Sequence, residues 1–195
     1  MIRELTAPAV EPVTIDEAKL HLRVDGNDDD PLIQSLITVA REYCETFTGR
    51  AFITREVLYT LSRWPSGKHI YLPRPPVVEV DGFTWYDADN NPNLLVEGDD
   101  YVVDGDVIAL PVGRGWPSGV LYPLNPIQVE YRAGYGSTGA SVPEYIKAAI
   151  KLLVNSWYEN REAVLPAGHI GRELPLGVVQ LLWQERVFWT EEKNR

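Results

Sequence analysis

Asp30-Pro-Leu-Ile-Gln-Ser-Leu-Ile-Thr-Val-Ala-Arg-Glu-Tyr-Cys-Glu-Thr-Phe-Thr-Gly49 is the stretch on which the fold turns. Asp30 ahead of Pro31 is a strong helix start, because aspartate caps orphan amides and proline at the first helical position has none to lose. Leu32, Leu36, Val39, Ala40, Tyr43 and Phe47 recur at helical spacing, and Ile33, Ile37 and Cys44 widen the stripe. Gly49 is a natural residue to leave a helix on. The spacing predicts a helix over about 31–48. An apolar face this broad predicts contact on two sides, within one bundle or with another subunit.

Toward the N-terminus, Thr14-Ile-Asp-Glu17 has capping-box spacing and opens a shorter helix. Its apolar side is read as Ala18, Leu20 and Leu22, with an end near Val24-Asp25-Gly26. Residues 1–12 contain Pro8 and Pro12 and read as an extended arm.

Toward the C-terminus the period changes. Val57-Leu-Tyr-Thr-Leu61, His69-Ile-Tyr-Leu72, Val77-Val-Glu-Val80, Phe83-Thr-Trp-Tyr86, Tyr101-Val-Val103, Val107-Ile-Ala-Leu110 and Ile127-Gln-Val-Glu-Tyr131 are β-rich. Turn material separates them, including Asp81-Gly82 and the run from Asp87 to Pro92. Short strands so spaced predict a small antiparallel sheet or barrel. Helix returns at Val142-Pro143, with Ile146, Ala149, Ile150, Leu153 and Trp157 on one stripe, flanked by Tyr145 and Leu152. Pro175 opens a last helix carrying Val178, Val179, Leu182, Arg186 and Trp189.

This order predicts the α+β class. A single α+β domain gives it. The sharper reading is a helical bundle formed by N- and C-terminal helices with an inserted small antiparallel β domain. Residues 1–51 are then arm and helices, 52–133 the β-rich insertion, and 134–195 the C-terminal helices and tail, packing with 13–51.

Composition narrows the function. The 195 residues carry 18 Lys and Arg against 28 Asp and Glu, a formal charge of −10. That balance argues against a lone nucleic-acid binder, which needs cations to displace counterions from phosphates. One cysteine excludes an intrachain disulfide and a cysteine-based zinc site. His21, His69 and His169 are too scattered for a compact metal site, so neither metal nor cofactor is expected. The longest uncharged run, 115–129, holds Pro117, Pro123 and Pro126 and is too short to span a bilayer, so no membrane is expected. Met1-Ile-Arg-Glu-Leu-Thr lacks the apolar core of a signal peptide, and a cytoplasmic origin is expected. Six Trp and ten Tyr point to large packing or contact surfaces.

Few motifs carry chemistry. Gly134-Tyr-Gly136-Ser-Thr-Gly139 is a literal G-x-G-x-x-G after a strand, but Pro143 starts the helix too late for it to meet a pyrophosphate. A strand-to-helix connection is the better reading. Asp25, Asn27 and Asp29 match the start of a calcium loop, yet Asp30 stands where glycine is needed and Leu36 where a bidentate glutamate is needed. Cys44 lies on the apolar stripe and reads as packing. Glu159 and Glu162 flank Arg161 and read as helix-end ion pairing. Trp183, Phe188 and Trp189, with Arg186 among them, exceed what one helical face needs and read as part core, part partner anchor.

The chain resembles the head–tail connector, or adaptor, proteins of phages, in particular the larger members with a β insertion. The resemblance rests on Pro12-Val-Thr-Ile-Asp-Glu-Ala-Lys-Leu-His-Leu-Arg-Val24, Thr48-Gly-Arg50, Leu72-Pro-Arg-Pro-Pro76 and Val129-Glu-Tyr-Arg-Ala-Gly-Tyr135. Val142-Pro-Glu-Tyr-Ile-Lys-Ala-Ala-Ile150, Trp157-Tyr-Glu-Asn-Arg-Glu162 and Leu174-Pro-Leu-Gly-Val178 extend it over almost the whole chain. It implies a non-enzymatic virion protein, assembled in the host cytoplasm, that forms a homo-oligomeric ring of twelve copies under the portal. It implies the portal protein and a stopper or tail-terminator protein as partners, and DNA passing through the channel without specific binding. On this reading Trp183, Arg186, Phe188 and Trp189 contact the portal, while Tyr158, Glu159, Arg161, Glu162 and His169 serve contacts between subunits. The competing readings are a small enzyme using the loop 134–139, and a ligand-binding β module stacking Trp85 and Trp116 on a sugar or peptide.

Overall fold

A computed structural model describes residues 1–160 and 176–187. The chain divides into two compact units. One is built from residues 1–8 and 54–135, the other from 9–53 and the described part of 136–187.

The helical unit holds α1 (Ile15–Leu22), α2 (Asp30–Thr48), α3 (Glu144–Glu159) and α4 (Leu176–Trp183). The capping box forms as expected: the Glu17 amide donates to Thr14 Oγ1 at 3.2 Å, and the Thr14 amide donates to Glu17 Oε2 at 2.8 Å. Ala18 and Leu22 are buried, four residues apart on one face. Leu20 is not on that face and stands 82% exposed, because two residues turn the helix by about 200°. α2 starts at Asp30 with Asp29 as its N-cap, one residue earlier than the Asp30-Pro31 pair predicts, and closes on Gly49 at φ 73°.

The buried line of α2 is Ile33, Ile37, Ala40, Cys44 and Thr48. Of the series that the spacing puts first, Ala40 is buried, Leu32, Leu36, Tyr43 and Phe47 are half-buried, and Val39 is 50% exposed. Both series have helical spacing, so only the neighbours decide between them. Ile146, Ala149, Ile150, Leu153 and Val154 of α3 and Val178 and Leu182 of α4 are also buried. Trp157 is half-buried and meets Tyr43 edge to face at 6.3 Å. α4 ends at Trp183, short of the longer helix expected, and Arg186 lies beyond it.

Charge also enters the helical unit. The Arg41 side chain is 6% exposed and donates to Glu11 Oε2 and Glu45 Oε2, each at 2.8 Å. Glu45 keeps its second oxygen on the Phe52 amide at 2.8 Å, and Glu11 accepts from Thr38 Oγ1 at 2.9 Å. Burial by itself would lower the Arg41 pKa, but the carboxylates of Glu45 and Glu11 outweigh it and hold it above its ordinary value.

Among the described residues the sheet unit has eight strands: β1 (Ile2–Glu4), β2 (Arg55–Leu61), β3 (His69–Tyr71), β4 (Val77–Tyr86), β5 (Pro92–Leu94), β6 (Val102–Asp104), β7 (Val107–Ala109) and β8 (Ile127–Ala133). They form a five-stranded sheet, β1-β2-β8-β4-β5, and a three-stranded sheet, β3-β7-β6. All pairings among these strands are antiparallel. Among the described residues the two sheets are open, not a barrel.

Three differences from the sequence reading have clear causes. Residues 2–4 pair with β2 as a strand, so the start of the arm belongs with the sheet. Asp81-Gly82 is not a turn but lies inside β4, which pairs with β8 along its length through two register shifts. Pro92 begins a short strand, a place where its missing amide costs little. β8 alternates as a half-buried strand should, with Ile127, Val129, Tyr131 and Ala133 inside. Tyr131 satisfies its buried hydroxyl on the Pro73 carbonyl at 2.6 Å.

Candidate docking sites

At the C-terminal end of α2, a short segment after α4 is fixed at several points. The Val187 amide donates to the Thr48 carbonyl at 2.7 Å, satisfying one of the carbonyls that a helix end leaves open. Arg50 Nε donates to the Glu185 carbonyl at 2.8 Å and pairs with its carboxylate at 3.0 Å. Tyr145 donates its hydroxyl to Glu185 Oε1 at 2.5 Å; burial and this bond push the Tyr145 pKa up to about 12.

This anchorage positions Arg186. Its guanidinium carbon lies 5.2 Å from the Phe47 ring centroid and 5.4 Å from that of Trp183. Trp183 is 53% exposed. The result is a cation held between two aromatic faces at the surface. The structure thus brings together Trp183 and Arg186 and adds Phe47, which the sequence reading assigned to the α2 stripe. Nothing in the local sequence signals this role for Phe47, because only packing shows that its side of the stripe is the less buried one. Phe188 and Trp189 lie outside the described residues.

The second group of site residues is less united. Tyr158 donates to Asp29 Oδ2 at 2.5 Å, so its hydroxyl is engaged within the subunit, tying the end of α3 to the start of α2. Glu159 is exposed at the end of α3. Arg161, Glu162 and His169 lie outside the described residues.

The remaining motifs have structural reasons. A Cβ on Gly139 would stand 2.7 Å from the Pro12 carbonyl oxygen, and one on Gly136 would collide with Ser141. Gly139 thus lets backbone pack on backbone and Gly136 leaves room for the Ser141 side chain, a packing reason for the glycine run. In the aspartate-rich loop, the Lys19 ammonium sits 2.6 Å from Asn27 Oδ1 and 2.9 Å from Asp30 Oδ1, so the loop already faces a cation of its own chain. Among the described residues no cluster of His, Cys, Asp and Glu has metal-holding geometry. Cys44 is fully buried, and burial with the neighbouring Glu45 charge pushes its thiol up to about 12, so it stays protonated. Trp116 stacks on Trp64 at 5.1 Å and donates to the Gly67 carbonyl at 2.8 Å, while Trp85 meets Trp64 edge-on at 6.5 Å. The two tryptophans proposed as a sugar or peptide platform therefore belong to an aromatic cluster with Phe83.

Comparison with known proteins accords with an assembly role. The family model described as Head completion protein matches residues 11–165. Among curated proteins none matches. Several solved structures share the fold. A chain from the neck of an empty gene transfer agent particle, computed with C6 symmetry, has a TM-score of 0.79 at 24% identity, covering 97% of each chain. Chains from the virion of the native gene transfer agent particle and from its neck computed with C12 symmetry have TM-scores of 0.77 and 0.76, at the same identity and coverage.

Proposed function

The chain belongs to the head completion protein family, and from that premise we propose that it is a structural connector between the head and the tail of a tailed phage or phage-like particle. It is a virion component, and its work is assembly and not catalysis. The observation that carries this reading is the extent of the family match, which takes in α1, α2, β2 to β8 and α3. The neck origin of chains with the same fold supports it.

On this reading subunits close a ring beneath the portal and offer a new surface to a stopper or tail-terminator protein. Twelve copies agree with the C12 symmetry of one neck that shares the fold. A ring of twelve subunits at −10 each carries about −120 of formal charge, which lets DNA pass through without a tight grip. The Trp183–Arg186–Phe47 patch docks on the portal, with Phe188 and Trp189 extending it. Glu159, Arg161, Glu162 and His169 meet the neighbouring subunit, with Tyr158 setting the end of α3 from which they lead. Trp and Arg are the residue types that dominate interface energies, and here their geometry is fixed before any partner arrives.

The test is a full-chain Trp183→Ala/Arg186→Ala variant titrated against its portal protein. Both side chains are largely exposed, so melting should be nearly unchanged while portal affinity falls by about tenfold or more. Unchanged affinity in a folded variant overturns the assignment of the patch.

A further inference from the structure

The three-stranded sheet of the β unit carries opposite charge at its two edges. Its inner face is apolar, with Ile70 and Ile108 buried. Register places two rows on the outer face, His69–Ala109–Val102 and Tyr71–Val107–Asp104. Tyr71, Val107 and Ala109 are half-buried there, and Val102 is 41% exposed. The centre of this face is therefore apolar, with His69 at one corner and Asp104 at the opposite one.

The edges follow from the sequence. Residues 57–78 contain Arg63, Lys68, His69 and Arg74 and no carboxylate. Residues 79–113 contain nine carboxylates and no Lys, Arg or His. β3 lies at one side of the sheet and takes the end of the basic segment; β6 lies at the other and takes the acidic one. Arg63, Lys68 and His69 are exposed at or before β3. Glu97 and Asp99 are exposed in the turn before β6, and Asp104 is exposed within it. That turn is held by the Gly98 amide on the Tyr101 carbonyl at 2.7 Å and the Val96 amide on Asp100 Oδ2 at 3.0 Å. Among the described residues, Arg63, Lys68, Glu97, Asp99 and Asp104 make no ion pair within their own subunit.

We infer that the β3 edge of one subunit meets the β6 edge of a second copy, so that Arg63, Lys68 and His69 face Glu97, Asp99 and Asp104. The occupant is a second copy because each chain carries both halves of the complement. A contact between two different patches of identical subunits is heterologous, and repeated with a closing rotation it makes a ring. Charge on exposed strand edges also deters indiscriminate strand addition while steering the matching edge. Exposed ion pairs are individually weak and screened by salt, so the contact closes on a template that concentrates subunits and loosens as ionic strength rises. This inference rests on the ring reading above.

The test uses two full-chain variants and the mass of the assemblies they form, alone and on the portal. Arg63→Glu/Lys68→Glu makes both edges acidic; Asp99→Lys/Asp104→Lys makes both basic. All four positions are exposed, and circular dichroism confirms folding. Each variant alone should associate about tenfold or more weakly than the parent. An equimolar mixture should assemble, with the two variants alternating, and the quadruple variant should assemble alone. Assembly of each single-edge variant like the parent, or a mixture that fails while the parent assembles, overturns the edge contact and leaves the ring reading standing. Loss of binding to another neck protein with self-assembly intact also overturns it. A parent chain that forms no assembly, free or on the portal, overturns the ring reading and the edge contact together.

Discussion

Replacing Arg41 with methionine should be among the most damaging single substitutions in the helical unit. The guanidinium holds two shielded carboxylates, Glu45 with a 5% exposed side chain and Glu11 at 18%, and also reaches the exposed Glu42 at 3.4 Å. Without it Glu45 keeps the Phe52 amide as a donor but loses the guanidinium that faces its buried carboxylate at 2.8 Å. Breaking a buried pair in this way costs about 3–5 kcal/mol. Partial exposure of Glu11, and its bond from Thr38, argue for the lower end, about 3 kcal/mol. Methionine replaces part of the apolar stem, so the loss reports mainly on charge. With a urea m-value of about 2 kcal/mol per molar, the midpoint should fall by about 1.5 M, read by circular dichroism at the helix band. The companion Arg41→Met/Glu45→Met variant removes both charges and leaves the Phe52 amide as the main debt. It should be more stable than Arg41→Met alone, with a coupling of about 2 kcal/mol in the double-mutant cycle. A single-variant loss below about 1 kcal/mol, or a coupling near zero, would refute the view that this network is a buried, mutually dependent unit.

Two further outcomes follow from the same geometry. Gly139→Ala sets a methyl group 2.7 Å from the Pro12 carbonyl and should cost about 1–3 kcal/mol in thermal or urea unfolding, with no change in nucleotide binding; a neutral effect on stability would remove the packing explanation of the glycine run. Tyr145 has a folded pKa raised from 10.0 to about 12, so the folded state holds that proton more tightly than the unfolded chain. Its contribution is fully present below about pH 10 and is lost as pH rises through about 12, and Tyr145→Phe should flatten the alkaline loss of stability over that window; an identical alkaline profile for the variant would count against it.

Local chemistry was legible wherever it acts within a few residues. Thr14 and Glu17 form the box that their spacing announces. Gly49 closes α2, and the alternation of β8 reads directly as inside and outside. The candidate site was legible only in part. Trp183 and Arg186 were visible as an excess of large side chains near the chain end, but Phe47 joins them from 136 positions away in sequence from Trp183, and no local pattern connects the two.

The sequence by itself determined the order of a helical, a β-rich and a second helical segment, the capping box of α1, the acid balance and the family resemblance. These depend on spacing and composition, which a chain carries whether or not it is folded. Tertiary structure decided which of two equally periodic series on α2 is buried, since periodicity fixes a face only when the neighbours are known. It also decided that residues 2–4 complete a sheet, that Glu11 closes on Arg41 thirty residues away, and that Lys19 faces the aspartate-rich loop. Each depends on a partner brought close by packing. The charge of −10 likewise gained direction only once strand order set the basic segment at one sheet edge and the acidic segment at the other.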